Sequence, residues 1–288
     1  MTTKAGHASA IITVFIWGLT FIVTKILLTD FSPLEIIVIR FVIALAALSL
    51  YKPALPKRIC WKQEVWYILA GITGMPLYYL LENYALSYTL SANVGIIIAT
   101  VPLFTGLLAL LLYRDKDAAR WQFFAGFAIA FVGICLISLN GSRLKMNPLG
   151  DGLTLLAALS WAAYNLILKK IESFGNDNVQ NTKHIFVWGT GITVMLAVLM
   201  GVSPNCTALI KPGNLCLFLF LGIGACGICY LLWNYAVFVL GPVKTNIYLY
   251  LEPVITLAAS MLFLKEPVTA MELTGIALIL AGLIVSRR

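Results

Sequence analysis

Charge is scarce in this sequence. Asp, Glu, Lys and Arg make up 11% of its 288 residues, while hydrophobic residues make up 61%. An ordinary soluble chain carries about 25% charged residues, so a water-facing surface cannot be assembled from this composition. Histidine is scarcer still: His7 and His184 are the two in the chain, each at the edge of an apolar run and neither within metal-ligand spacing of other donors. A phosphate-cradling glycine loop, a nucleophile elbow and a zinc motif are all missing. The sequence therefore offers no basis for an ATP-driven pump or a membrane hydrolase, and implies neither an enzyme nor a cofactor. Nor is any stretch between the apolar runs long enough to form a soluble domain. The net charge of +8 does not point to nucleic acid, because the basic residues lie in short loops beside apolar runs, where they set topology and face lipid head groups.

What is present is a succession of apolar runs near 10–28, 36–51, 66–86, 92–112, 121–139, 152–169, 185–202, 215–239, 243–264 and 271–286. A bilayer-spanning helix needs ~20 such residues, so the expected fold is an all-α integral membrane protein with ten transmembrane helices. The first run begins soon after Lys4 and exceeds the apolar core of a signal peptide, so it is expected to remain as the first span. With the N-terminus inside, fourteen basic residues fall on the cytoplasmic side: Lys4, Lys52, Lys57, Arg58, Lys62, Arg114, Lys116, Arg120, Lys169, Lys170, Lys183, Lys244, Arg287 and Arg288. Only Arg143, Lys145, Lys211 and Lys265 fall opposite. That bias predicts both termini in the cytoplasm of an inner or plasma membrane.

The chain also repeats itself. Tyr79 to Pro102 lies over Tyr230 to Pro253 without a gap, matching Tyr79 with Tyr230, Asn83 with Asn234, Tyr84 with Tyr235 and Pro102 with Pro253. Gly71 meets Gly222 in the same register, and upstream Trp17 falls on Trp161. Two halves follow, 1–140 and 152–288 with a linker at 141–151. Five spans per half is an odd number, so the second repeat is inverted relative to the first.

Within the ninth run, Glu252 and Pro253 stand near the middle, where an ionisable group costs at least ~2.5 kcal/mol without partners or water. A proline there removes an amide donor and opens backbone carbonyls beside the carboxylate, so Pro102 and Pro253 are expected kinks. Lys25 and Lys169 lie near span ends and can snorkel. Arg40 lies deeper, and Glu82 sits toward the same side of the third span. Such a pair either closes a gate, binds a zwitterion or simply joins two helices. Polar and aromatic residues recur around these charges at helical spacing: Trp17 with Thr20, Trp161 with Tyr164 and Asn165, Tyr79 with Glu82, Tyr248 with Glu252, and Asn93 with Thr100. They would line a narrow site with aromatic walls, although packing is the commoner role for any one of them. Small residues at Gly126, Gly133, Gly275 and Gly282 suit close packing of the fifth and tenth spans, as support or as a homodimer contact. Cys226 and Cys229 form a CxxC inside an apolar run, where packing outweighs redox chemistry.

Three stretches carry a family likeness: AxxYTxSANVxxIxxTVPLFT at Ala85–Thr105, GPVxTNxYLYLEPV at Gly241–Val254, and FLKEPVTxxELxG ending at Gly275. The chain resembles the EamA family of the drug/metabolite transporter superfamily over nearly its whole length. One departure is visible, since Tyr113-Arg114-Asp115 stands where the second half has Leu264-Lys265-Glu266. The resemblance implies alternating access between inverted five-helix repeats and export of amino acids or related small metabolites, often coupled to protons. Glu252 would be the coupling residue, since a carboxylate at low dielectric can carry a proton. The alternatives are a polyspecific organic-cation extruder, for which Glu252, Trp17 and Trp161 would serve, and an exchanger of phosphorylated or nucleotide-linked sugars, which would want more cavity cations than Arg40.

Overall fold

The computed structural model describes residues 2–53, 60–88, 91–114, 120–139, 147–203, 205–259, 262 and 269–286, apart from the side chains of 21, 25, 86, 87, 91–93, 96, 138, 139 and 272. Lys25 and Asn93 thus have their side chains outside the described residues. The helices are α1 (Thr3–Leu27), α2 (Pro33–Tyr51), α3 (Trp61–Gly74), α4 (Pro76–Tyr88), α5 (Ser91–Ile98), α6 (Val101–Tyr113), α7 (Trp121–Leu139), α8 (Pro148–Glu172) and α9 (Asn178–Leu199). After them come a short α10 (Cys206–Leu209), α11 (Pro212–Leu219), a π-helical stretch (Phe220–Ile228), α12 (Cys229–Leu240), α13 (Pro242–Asn246), a 3-10 stretch (Ile247–Leu251), α14 (Glu252–Ala259) and α15 (Ala270–Ser286). Among the described residues no strand occurs.

Among the described residues five segments are long and apolar enough to cross a membrane: Thr3–Thr24, Pro33–Tyr51, Pro148–Glu172, Asn178–Leu199 and Pro212–Leu240. Large apolar side chains such as Leu111, Val198 and Leu199 remain exposed on the outside of the bundle, which suits lipid and not water. Together with the composition, these segments make the chain an integral membrane protein. Other apolar stretches are broken, at Met75 between α3 and α4, at 99–100 between α5 and α6, and at the 3-10 stretch ahead of α14.

Local chemistry explains where helices start. Ser32 and Glu35 form a reciprocal capping box at α2, with Pro33 at the first turn, where its missing amide costs nothing. Asn147 caps α8 and Asp177 caps α9 through backbone amides of their first turns. Burial pushes the Asp177 carboxyl up, but hydrogen bonds from Lys52 and from the Val179 and Gln180 amides outweigh it and hold the group below its usual range. Between α12 and α13, Gly241 takes φ +83°, a left-handed value that a residue with a Cβ resists.

Loops that the charge pattern assigns to one side do meet. Lys52 pairs with Asp177 at 2.9 Å, the buried Lys183 donates to the Lys52 carbonyl at 2.8 Å, and Glu64 bonds His184 and the Trp188 indole. At the other end Asp30 accepts from Asn214 and Lys211, which holds its carboxyl low. There too Glu35 accepts from the Asn205 amide.

Helix α1 packs along α12 and α14, α8 along α4, α3 and α6, and α9 against α2 and α3. Helices α7 and α15 pack chiefly on each other. A Cβ at Gly133 would stand 2.5 Å from the Gly275 carbonyl, and one at Gly275 would stand 2.7 Å from the Gly133 carbonyl. The small-residue stripes of these helices are therefore used within the chain. Gly275→Leu should lower the thermal midpoint in detergent by the equivalent of about 1–3 kcal/mol of overpacking, while Thr274→Leu on the exposed side should leave it unchanged. Equal midpoints for the two variants would show that this contact is loose.

Candidate functional site

The helix breaks converge on the centre of the bundle. Pro76 cannot donate to the preceding turn, and Met75 before it leaves helical geometry with φ −129° and ψ −97°. Two carbonyls freed there find side-chain donors on the second half: Ser160 donates to Thr73 at 2.8 Å and Tyr230 to Gly74 at 2.8 Å. The equivalent of Gly74 in the repeat is Ala225, inside the π-helical stretch, and its carbonyl accepts from the Trp17 indole at 2.9 Å. Each half thus opens a carbonyl at the same place, and an aromatic residue from the other half takes it.

Aromatic rings fill the space between. Trp17 contacts Trp161, Tyr230 and Trp233 with ring centroids 5.1–5.9 Å apart, and Trp161 contacts Tyr78 at 5.2 Å. The edge-on and tilted geometries are those aromatic pairs prefer. Trp17 and Trp161, matched in the repeat, therefore touch.

Two acids break the repeat. Glu82 aligns with Trp233, and Glu252 aligns with Val101. Helix α4 carries Glu82, whose Oε1 accepts from the Tyr78 hydroxyl one turn earlier at 3.2 Å. Helix α14 begins at Glu252, and its carboxylate lies close enough to repel that of Glu82 and to act on the Tyr78 hydroxyl. Among the described residues no cation stands within 4.0 Å of either acid. Backbone approach is tight here as well, since a Cβ on Gly18 of α1 would lie 3.4 Å from the Glu252 carbonyl, and Thr256 bridges the carbonyls of Gly18 and Glu252.

Several expected neighbours are placed elsewhere. Arg40 does not touch Glu82: its Nε donates to the Cys226 Sγ at 3.0 Å and its Nη2 to the Tyr79 hydroxyl at 3.4 Å. Tyr79 points at Arg40, with the guanidinium 4.9 Å from its ring centroid, whereas the adjacent Tyr78 serves Glu82. Tyr248 does not share a face with Glu252, because the intervening 3-10 stretch winds ~3.0 residues per turn. Its hydroxyl instead meets His7 Nδ1 at 2.7 Å. Thr20 bonds back to the Trp17 carbonyl of its own helix. Tyr164 and Asn165 are fully buried and engaged by Asn234 and by the Trp233 indole, so they brace the aromatic cluster from behind. Pro102 follows a break at 99–100, where Thr100 bonds the Ile97 carbonyl, and Pro253 follows the 3-10 stretch. Cys206 and Cys216 are free. A cavity of about 260 Å³ lined by Leu19, Ile22, Val23 and Phe220 is wholly apolar and offers nothing to a charged solute.

Sequence reasoning did not single out Tyr78 or Trp233, and it gave Tyr230 only a place in the repeat and Cys226 only a packing role. Tyr78 stands four residues before Glu82, one helical turn away, and that spacing was the available signal.

Sequence comparisons agree with this architecture. The profile of the EamA-like transporter family matches residues 4–139 and again 148–288, so the chain belongs to that family and is a membrane transporter. A probable amino-acid metabolite efflux pump of Salmonella typhimurium is 27% identical, covering 99% of this chain and 95% of its own. An uncharacterized transporter of Archaeoglobus fulgidus is 26% identical over 96% of this chain and 95% of its own. A probable terminal-alkyne amino-acid exporter of Streptantibioticus cattleyicolor is 24% identical over 96% and 92%. A solved crystal structure, 18% identical, superposes with a TM-score of 0.78 over 99% of this chain and 96% of that one, which shows a shared fold.

Tyr230→Phe should destabilise the protein by about 1–3 kcal/mol, because it leaves the buried Gly74 carbonyl without its donor. Thermal unfolding in detergent measures this, and an unchanged midpoint would mean that the carbonyl is solvated.

Proposed function

We propose that this protein is a secondary active transporter that exports a small metabolite, an amino acid or a derivative, by alternating access. Ten spans arranged as two inverted five-helix repeats, 1–140 and 152–288, would rock about the central aromatic cluster, with both termini cytoplasmic. The carrying observation is that Glu82, one turn after Tyr78 on α4, and Glu252, at the break that begins α14, lie within electrostatic reach of each other. Neither has a cation in contact among the described residues, so the pair suits a group that arrives and leaves: a proton, the amine of a substrate, or each in turn. Trp17, Trp161 and Tyr78 supply aromatic faces that attract an ammonium. The names borne by the Salmonella and Streptantibioticus relatives favour amino-acid cargo. An organic cation would use the same acids and rings, and it is the second reading. A homodimer contact would fall to the outer faces of α7 and α15, because their glycine stripes are spent on each other.

Counterflow in proteoliposomes tests this reading. Vesicles are loaded with individual unlabelled amino acids, and the entry of a labelled mixture is followed. A defined subset should drive entry. Glu252→Gln should slow it by about tenfold or more, equivalent to ~1.4 kcal/mol, and flatten its dependence on pH. Unchanged rate and pH dependence in Glu252→Gln would rule out Glu252 as the coupling residue. Exchange driven by organic cations but by no amino acid would favour the second reading.

A further inference from the structure

Arg40 is the charged group whose surroundings the fold leaves incomplete. It is 5% exposed, and a cation removed from water costs several kcal/mol unless an anion meets it. A guanidinium has five N–H donors. Cys226 Sγ and the Tyr79 hydroxyl accept from two of its nitrogens, and both acceptors are neutral. No carboxylate lies within 4.0 Å among the described residues. Glu82 is near enough to attract it without touching it.

The wall opposite is equally unusual. Cys226 belongs to the π-helical stretch Phe220–Ile228, a conformation that is rare and frequent at functional sites. Gly222 brings this stretch close to α2, where a Cβ would lie 3.1 Å from the Arg40 carbonyl. The guanidinium is thus clamped over the Tyr79 ring on one side and against a thiol on the other, with the two acids farther along the same central region. Its planar fork matches a carboxylate bidentately, and its charge does not titrate in the working range. Arg40 therefore offers a permanent counter-charge, which the acids do not.

We propose that Arg40, seated between Tyr79 and Cys226, is the subsite for the carboxylate of the transported solute, whose amine points toward Glu82 and Glu252. This deepens the amino-acid reading given above and rests on it. A zwitterion is then recognised at both ends, and a solute lacking the carboxylate leaves a buried guanidinium unmatched.

Binding of four probes to the detergent-solubilised full chain, read by intrinsic tryptophan fluorescence, tests the assignment. Phenylalanine carries both charges, phenylalaninamide and phenethylamine only the amine, and phenylpropionate only the carboxylate. The wild type should bind phenylalanine about tenfold or more tightly than phenylalaninamide, equivalent to ~1.4 kcal/mol. Arg40→Gln should abolish that preference and the binding of phenylpropionate, while Arg40→Lys should recover part of both. Glu252→Gln should keep the preference for acid over amide. Should Arg40→Gln fail to fold, Tyr79→Phe and Cys226→Ala, which loosen the seat and keep the charge, should each narrow the preference. Equal affinity for acid and amide in the wild type, or an undiminished preference in these variants, overturns the Arg40 subsite and leaves the acid pair standing. Failure of all four probes to bind, together with unaltered counterflow in Glu252→Gln, overturns both.

Discussion

A backbone carbonyl freed inside an apolar medium must find a donor within the protein, since lipid supplies none. This constraint organises the centre of the molecule. The break at Met75 leaves the Thr73 and Gly74 carbonyls at the end of α3 open to side-chain donors, and the Ala225 carbonyl lies in the π-helical stretch. Ser160, Tyr230 and Trp17 take them, each reaching across from the other half. The bonds that satisfy the broken helices are therefore among those that join the two halves. The rocking proposed above would have to preserve these bonds or exchange them, so they are where such a change of conformation would be felt first.

The same breaks make room for charge. Where the two repeats agree, at Trp17 and Trp161, the shared residues pack against each other. Where they disagree, at Glu82 against Trp233 and Glu252 against Val101, the difference is an acid. Symmetry thus supplies much of the scaffold, and the departures from it are where the proposed function places its charges. Arg40 adds a fixed positive charge to one side of this central region, so the site is polarised along its length.

Much of this was legible in the sequence. Composition and run length gave the membrane class, the gapless match of Tyr79–Pro102 to Tyr230–Pro253 gave the repeat, and the pairing of Glu252 with Pro253 marked a break beside a charge. The remainder was hidden for physical reasons. The repeat's counterpart of Pro76 is Gly227, so no proline announces the π-helical stretch, and glycine content alone does not distinguish π from α winding. A face read at 3.6 residues per turn put Tyr248 beside Glu252, and the 3-10 stretch rotates it toward His7. Pairing Arg40 with Glu82 rested on depth in the membrane, which says nothing about azimuth around a helix. Azimuth sends Arg40 to Cys226 and Tyr79.

The central claim is that one site, bounded by Trp17, Glu82 and Glu252, opens to each side of the membrane in turn. The most direct measurement replaces the native cysteines other than Cys226, which is buried against Arg40, introduces Thr20→Cys one turn beyond Trp17, and applies a membrane-impermeant thiol reagent from either face of oriented vesicles, with the protein lacking Thr20→Cys as the background. The account predicts labelling from both faces in protein that still exchanges substrate, slowed from both when substrate is present. Labelling from one face alone, in protein that still transports, would contradict it.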